Sequence, residues 1–297
     1  MRVVVAGSHG LIGSALVPRL RGAGHAVRTL VRGHAAGPDE APWDPDAGHL
    51  DPAVLEDADA VVCLSGVNVG ERYLTPSRKR LVVRSRVSTA GLLARTLAGL
   101  ADPGSRVLLQ ASGIGAYGDR GDTPLTESEP LGDTFFADVV RQWEAASEPA
   151  QDAGVRVALL RTGIVLAPDG GALGRLLPLL RAGLGGPLGS GRQYWSWITL
   201  VDEVRAIEHL LTADVSGPVN MVTDATRNAE LTAELARALH RPSLVPAPAW
   251  ALRLVLGDFS SEVLGSQRAV PEVLRSSGFV PEHADAATAA RWVATAG

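Results

Sequence analysis

The chain has 297 residues, 46% of them hydrophobic and 20% charged, with a formal net charge of −4. That length suits one α/β domain with a smaller appendage, and the mild acidity points away from nucleic acid and from an anionic membrane surface. No apolar run approaches 18 residues, the N-terminal apolar run is too short for a signal peptide, and Cys63 is the only cysteine. These features set the expectation of a cytoplasmic protein without a membrane span or a disulfide framework.

In chain order, residues 2–6 read as a short buried strand, followed by Gly7-Ser8-His9-Gly10-Leu11-Ile12-Gly13 and a helix over 14–23. Strands are expected at 26–31, 58–64, 107–112 and 155–161. Helices are expected at 76–99, 133–153 and 172–182, and residues 33–52 read as a loop rich in Gly, Pro and Asp. Beyond residue 166 come a glycine-rich loop at 183–191, short strands at 197–200 and 219–222, a helix at 202–212 and a mostly helical tail. Short apolar strands alternating with helices predict a Rossmann-type, doubly wound parallel sheet with a smaller, mostly helical C-terminal portion. The expected organisation is a nucleotide-binding core at 1–166 and a substrate-side region at 167–297, with a small C-terminal domain from about 246.

A strand, G-x-x-G-x-x-G and a helix form the arrangement that seats a dinucleotide pyrophosphate. Gly7 permits the tight turn, Gly10 the approach of the phosphates, and Gly13 the close packing of helix on strand. Ser8, His9, Leu11 and Ile12 complete the candidate loop, although His9 could equally be a plain exposed histidine. NAD-binding units carry an acidic residue near the end of the second strand. Here that strand ends Val31-Arg32, and no acid precedes Asp39. A guanidinium at this place suits a 2′-phosphate and favours NADP(H) over NAD.

Further pieces are Trp43-Asp44-Pro45, Asp59–Gly66, Ser85-Arg86-Val87, Ala111–Asp119, Trp143-Glu144-Ala145, Arg161–Leu166, Gly183–Gly191 and Ser196-Trp197-Ile198. With the glycine loop and the stretch from Pro246 to Phe279, the chain resembles the atypical short-chain dehydrogenase/reductases of the NADP-binding epimerase family, a group sometimes labelled cell-division inhibitors. The resemblance spans about residues 1–296. It implies cofactor contacts from Val31, Arg32, Leu64, Ser65, Gly66, Arg86, Ser112 and Ile164, and a nucleoside-diphosphate-sugar epimerase or an oxidoreductase as the activity.

Most enzymes of that superfamily use a tyrosine with a lysine four residues later. Lys79 is the only lysine, and residue 75 is a threonine. With Glu144 setting the register, the resemblance puts Phe136 at the tyrosine position and Val140 at the lysine position. The nearest remaining hydroxyls are Tyr117 and Ser112, in the loop at the end of the fourth strand. Tyr117 reads more readily as a packing or cofactor-stacking aromatic. An enzyme with another acid, a non-catalytic NADPH sensor acting through a protein partner, and a regulatory protein that keeps the nucleotide site as a folding element all remain open; the substrate is unknown.

Other candidates carry less. Asp44, Asp46, His49 and Asp51 match no metal-site spacing, so no metal is expected. Glu127 reads as solvated, and Asp202-Glu203 as the acidic start of a helix. Trp195 and Trp197 could wall a pocket or pack inward from one strand face. Cys63 reads as an inert core residue.

Overall fold

The computed structural model describes residues 1–296. Its strands are β1 (Arg2–Ala6), β2 (Ala26–Val31), β3 (Glu40–Asp44), β4 (His49–Leu50), β5 (Ala60–Cys63), β6 (Val107–Gly113), β7 (Pro124–Leu125), β8 (Arg156–Thr162), β9 (Ile164–Leu166), β10 (Tyr194–Thr199), β11 (Gly217–Met221), β12 (Asp224–Arg227) and β13 (Arg268–Ala269). Its helices are α1 (Leu11–Gly22), α2 (Ala53–Glu56), α3 (Pro76–Ala98), α4 (Phe135–Ala145), α5 (Glu148–Asp152), α6 (Leu173–Arg181), α7 (Leu200–Thr212), α8 (Asn228–Ala238), α9 (Ala249–Leu256), α10 (Ser260–Leu264), α11 (Glu272–Ser276) and α12 (Ala286–Thr295).

Eight strands form the main sheet in the order β11-β8-β6-β5-β1-β2-β3-β4. All neighbours are parallel except β3 and β4. The alternation of side chains along each strand builds a core on either face. Val3 and Val5 face Leu16, Leu20, Ile207 and Leu210 of α1 and α7. Val4 and Ala6 face Leu93 and Leu97 of α3.

From β1 the chain winds outward through β2 and β3, then crosses back to β5 and continues to β6, β8 and β11. The order reverses between β1 and β5. In an open α/β sheet the crevice at the carboxyl ends of two such strands is where ligands bind.

The stretch 33–52 is not the loop its composition suggests. Residues Thr29–Val31 of β2 pair with Glu40–Pro42, and β4 turns back on β3. Buried Ala41, Trp43 and Leu50 supply the apolar face that selects the strand. The helix expected over 133–153 is two, α4 and α5, with Pro149 in the first turn of α5 where its missing N–H costs nothing.

A second, three-stranded sheet, β12-β10-β9, carries the C-terminal half of the cleft. Trp195, Trp197, Leu231, Leu235, Ala289 and Val293 share its core, sealed by α6, α8 and α12. Trp197 is fully buried, its indole N–H donating to Thr226 Oγ1. Cys63 is buried in the main core, and burial pushes its thiol up to about 11. Among the described residues, no helix is long and apolar enough to cross a membrane.

Candidate functional site

The glycine loop lies at the crossover between β1 and β5. Gly7 has φ +88°, and a Cβ there would stand 2.7 Å from the carbonyl carbon of Leu64. A Cβ at Gly13 would stand 2.2 Å from the Gly7 carbonyl oxygen, so helix α1 can sit this close only with glycine at that position. Gly10 occupies the N-cap of α1, with no side-chain cap and no acidic residue in the first turn. The amides of the first turn therefore face an open groove, as an anion requires. Ser8 and His9 hydrogen-bond each other at the rim, Oγ to Nδ1, at 3.2 Å.

Arg32, just past β2, donates from Nη1 to Asp46 Oδ2 at 3.1 Å. Arg84 of α3 approaches the other oxygen, with Nε 3.8 Å from Oδ1. Two guanidiniums thus converge on one carboxylate, and all three side chains are largely exposed. Asp44 and Asp51 are committed elsewhere: Asp44 accepts from the amides of Asp46 and Ala47, and Asp51 from that of Ala53. Arg28 lines a separate groove of about 360 Å³ with Arg2, Arg21 and His25, away from the glycine loop.

Beyond the loop opens a cleft of about 990 Å³. It brings together Ile12, Gly66, Arg86, Ser112 and Ile164 of the expected cofactor contacts. Arg86 is buried. Its Nη1 donates to the carbonyls of Val67 and Val82, and its guanidinium lies 4.9 Å from the Trp143 ring centre. Burial lowers its pKa to about 10, helped by the charge of Arg78. Leu64 is half-buried beneath Gly7 and packs on the main core; Ser65 and Val31 are half-buried at their strand ends. Phe136 and Val140 line the cleft where the resemblance puts the tyrosine and lysine.

The two hydroxyl candidates fare differently. Ser112 lines the cleft, but its Oγ donates to Glu144 Oε1 at 2.6 Å. Tyr117 turns away from the cleft into a small core with Leu125 and Val222, at 1% exposure. Its hydroxyl donates to Asn220 Oδ1 at 2.7 Å and accepts from Arg161 Nη1 at 3.1 Å. Burial raises its pKa, with Arg161 opposing. The reading of Tyr117 as a proton donor is therefore corrected: it is a packing aromatic in a buried polar network.

That network supports the cleft floor. Arg161 and Glu144 form a bidentate pair, Nε–Oε1 and Nη2–Oε2 both at 2.9 Å. Burial works against the charge of Arg161, but the bonds and charge of Glu144 outweigh it and raise its pKa. Glu127, expected to be solvated, is buried because its Oε1 accepts from the amides of Asn220 and Val273. Glu203 is also buried; Thr162 Oγ1 donates to its Oε1 at 3.0 Å. Asp202 caps the turn at Glu282-His283 and pairs with Arg205. Trp195 both packs inward and lines the cleft, its indole N–H bonded to the Val263 carbonyl.

Sequence reasoning missed Arg84, which lies two residues from the singled-out Arg86, and Glu262 of α10. Glu262 is half-buried on the cleft wall, and burial pushes its carboxyl up to about 7, with a hydrogen bond from Gln267 opposing.

The model of the NAD dependent epimerase/dehydratase family matches residues 3–223. The chain belongs to the NAD dependent epimerase/dehydratase family. A domain of unknown function, DUF1731, matches residues 247–293. Among relatives in this epimerase family, the epimerase family protein MT2273 of Mycobacterium tuberculosis is 44% identical over 284 residues, covering 95% of this chain and 93% of that one. The human epimerase family protein SDR39U1 is 34% identical over 289 residues, covering 94% of each. The crystal structure of human SDR39U1 (isoform 2) with NADPH superimposes with a TM-score of 0.90 at 31% identity, over 99% of both chains. UDP-N-acetylglucosamine 4-epimerase from Bacillus cereus shares the fold, with a TM-score of 0.78 at 18% identity.

Proposed function

We propose that this chain is an NADP(H)-dependent oxidoreductase of the epimerase family, working in the cytoplasm. The convergence of Arg32 and Arg84 on Asp46 carries the reading. Two guanidiniums around one carboxylate make a ready anion site, and a 2′-phosphate would replace Asp46 as their shared partner. The open first turn of α1 would take the pyrophosphate on the amides following Gly10. Val31 would flank the adenosine side with Arg32; Leu64, Ser65 and Gly66 would line the cofactor past the end of β5; Arg86 would reach it from α3, and Ile164 would lie near the nicotinamide. Bound NADP(H) supplies or accepts hydride, and the chain's residues orient the reacting groups and exclude water. The crystal structure of SDR39U1 with NADPH supports the same choice of cofactor. The buried, solitary Cys63 supports a reducing compartment.

Titration of purified protein with NADPH and NADH, followed by nicotinamide fluorescence, tests this. Saturable binding with NADPH preferred at least tenfold is expected; no saturable binding of either nucleotide overturns it. A second reading, an NADPH sensor acting through a partner, is favoured by α9. There Trp250 and Leu254 stand 69% and 71% exposed, beside Ala251, Leu252 and Val255 at the cleft. Tight NADPH binding without turnover on any carbonyl would select that reading.

A further inference from the structure

The C-terminal segment places one ionisable group in the cleft that the cofactor reading does not use. Glu262 Oε2 lies 2.8 Å from where a Cβ would stand on Gly115, and Phe136 Cβ lies 3.4 Å from the same point. The carboxyl group and the Phe136 side chain therefore both close on Gly115, just past the end of β6, where a proton donor for chemistry over the crevice belongs. Apolar side chains make up the surrounding wall, among them Val139, Val140, Leu252, Val255 and Phe259. The charged residues of the described lining are Glu71, Arg86 and Glu262; Nη1 of Arg86 donates to backbone carbonyls and its guanidinium lies over Trp143. Arg86 is the one cation of the described lining, and so apolar a wall suits an uncharged, apolar ligand.

We propose that Glu262 is the proton donor for reduction of an uncharged, apolar aldehyde or ketone held in this cleft. The inference rests on the cofactor reading above. Hydride from the reduced cofactor forms the new C–H bond at the carbonyl carbon as the C=O π bond opens. The Glu262 carboxyl gives its proton to the oxygen, leaving an alcohol, the oxidised cofactor and a carboxylate that solvent reprotonates. Gln267, which also lines the cleft, opposes the upward shift of the carboxyl group. Burial holds the acid near neutrality, where a general acid is most effective. Other titratable or charged groups near it include Glu71 after β5, Arg86 of α3, Asp119 after β6, Tyr194 of β10, and Asp258, which pairs with Lys79.

The test uses the full-length protein with NADPH, with decanal and 4-phenylbutan-2-one as probes. Wild type should oxidise NADPH with at least one probe, with a rate that falls as pH rises through about 7. Glu262→Gln should lower kcat by roughly 100-fold or more with KM little changed, and should abolish that pH dependence. Independently of turnover, ¹³C NMR of δ-labelled glutamate should show a carboxyl resonance titrating near 7 that Glu262→Gln removes. Gly115→Ala, whose methyl group would displace the carboxyl group, should lower kcat in the same direction. NADPH affinity measured by fluorescence separates the two ideas. Failure to bind NADPH ends the cofactor reading. Normal binding with either no probe reduced by wild type, or an unchanged rate and pH profile in Glu262→Gln, ends this one alone.

Discussion

Glu203 offers a direct measure of how dry the floor of the cleft is. Its side chain is fully buried on α7, one oxygen accepts from Thr162, and Oε2 has no partner among the described residues. Burial pushes the carboxyl from 4.5 up to about 8, with the Thr162 hydrogen bond opposing. In the unfolded chain the same group ionises near its ordinary value. Between these limits folding must take up a proton, so stability present below pH 4.5 is lost progressively as pH rises through about 8. At about 1.4 kcal/mol per pH unit, the site should cost about 2–3 kcal/mol between pH 5 and 7. Glu203→Gln has the same shape and does not titrate. Urea denaturation of both proteins at pH 5, 6, 7 and 8 gives the stability difference at each pH. Glu262 and every other group common to both cancel. The variant should gain on the wild type by about 2 kcal/mol or more from pH 5 to 7. A difference that stays flat with pH would show that Glu203 is ionised in the native protein and would refute the argument.

Three further outcomes follow from the geometry. Arg32→Ala and Arg84→Ala should each weaken NADPH binding by roughly 10-fold or more while leaving NADH nearly unchanged, and Asp46→Asn should strengthen NADPH binding by releasing both guanidiniums; nicotinamide fluorescence titration reads all three. Tyr117→Phe removes the hydroxyl shared by Asn220 and Arg161 and should cost about 1–3 kcal/mol in urea denaturation, with turnover retained; loss of turnover in a folded Tyr117→Phe protein would restore it as the proton donor. Glu144→Ala strands the buried Arg161 guanidinium and should cost about 3–5 kcal/mol by the same measurement, far more than any exposed ion pair.

What was legible in the sequence is what short-range backbone geometry imposes. Gly7 and Gly13 are forced by contacts within a seven-residue loop and the strand beside it, so the cofactor groove could be placed from its residues alone. Pro42 and the surrounding turn formers hid β3, because a strand's partner, not its composition, selects it there. Arg86 and Arg84 lie two residues apart on α3, which turns them to different sides: one onto Trp143, the other toward Asp46. Spacing alone does not say which of the two meets a phosphate. Tyr117 looked available because the partners that bury it, Arg161 and Asn220, arrive on β8 and β11.

Glu262 is the sharper case. No motif surrounds it, and it meets Gly115 only because α10 folds back over the end of β6. Its role depends on what Phe136 and Val140 cannot do. A carboxyl group in a cleft with an ordinary tyrosine–lysine pair would be redundant, whereas in one lined instead by Phe136 and Val140 it is the acid nearest the end of β6 among the described lining residues. The missing dyad was visible in the sequence as an absence. Its replacement required three-dimensional placement, because the nucleotide half supplies the groove and the C-terminal segment supplies the proton.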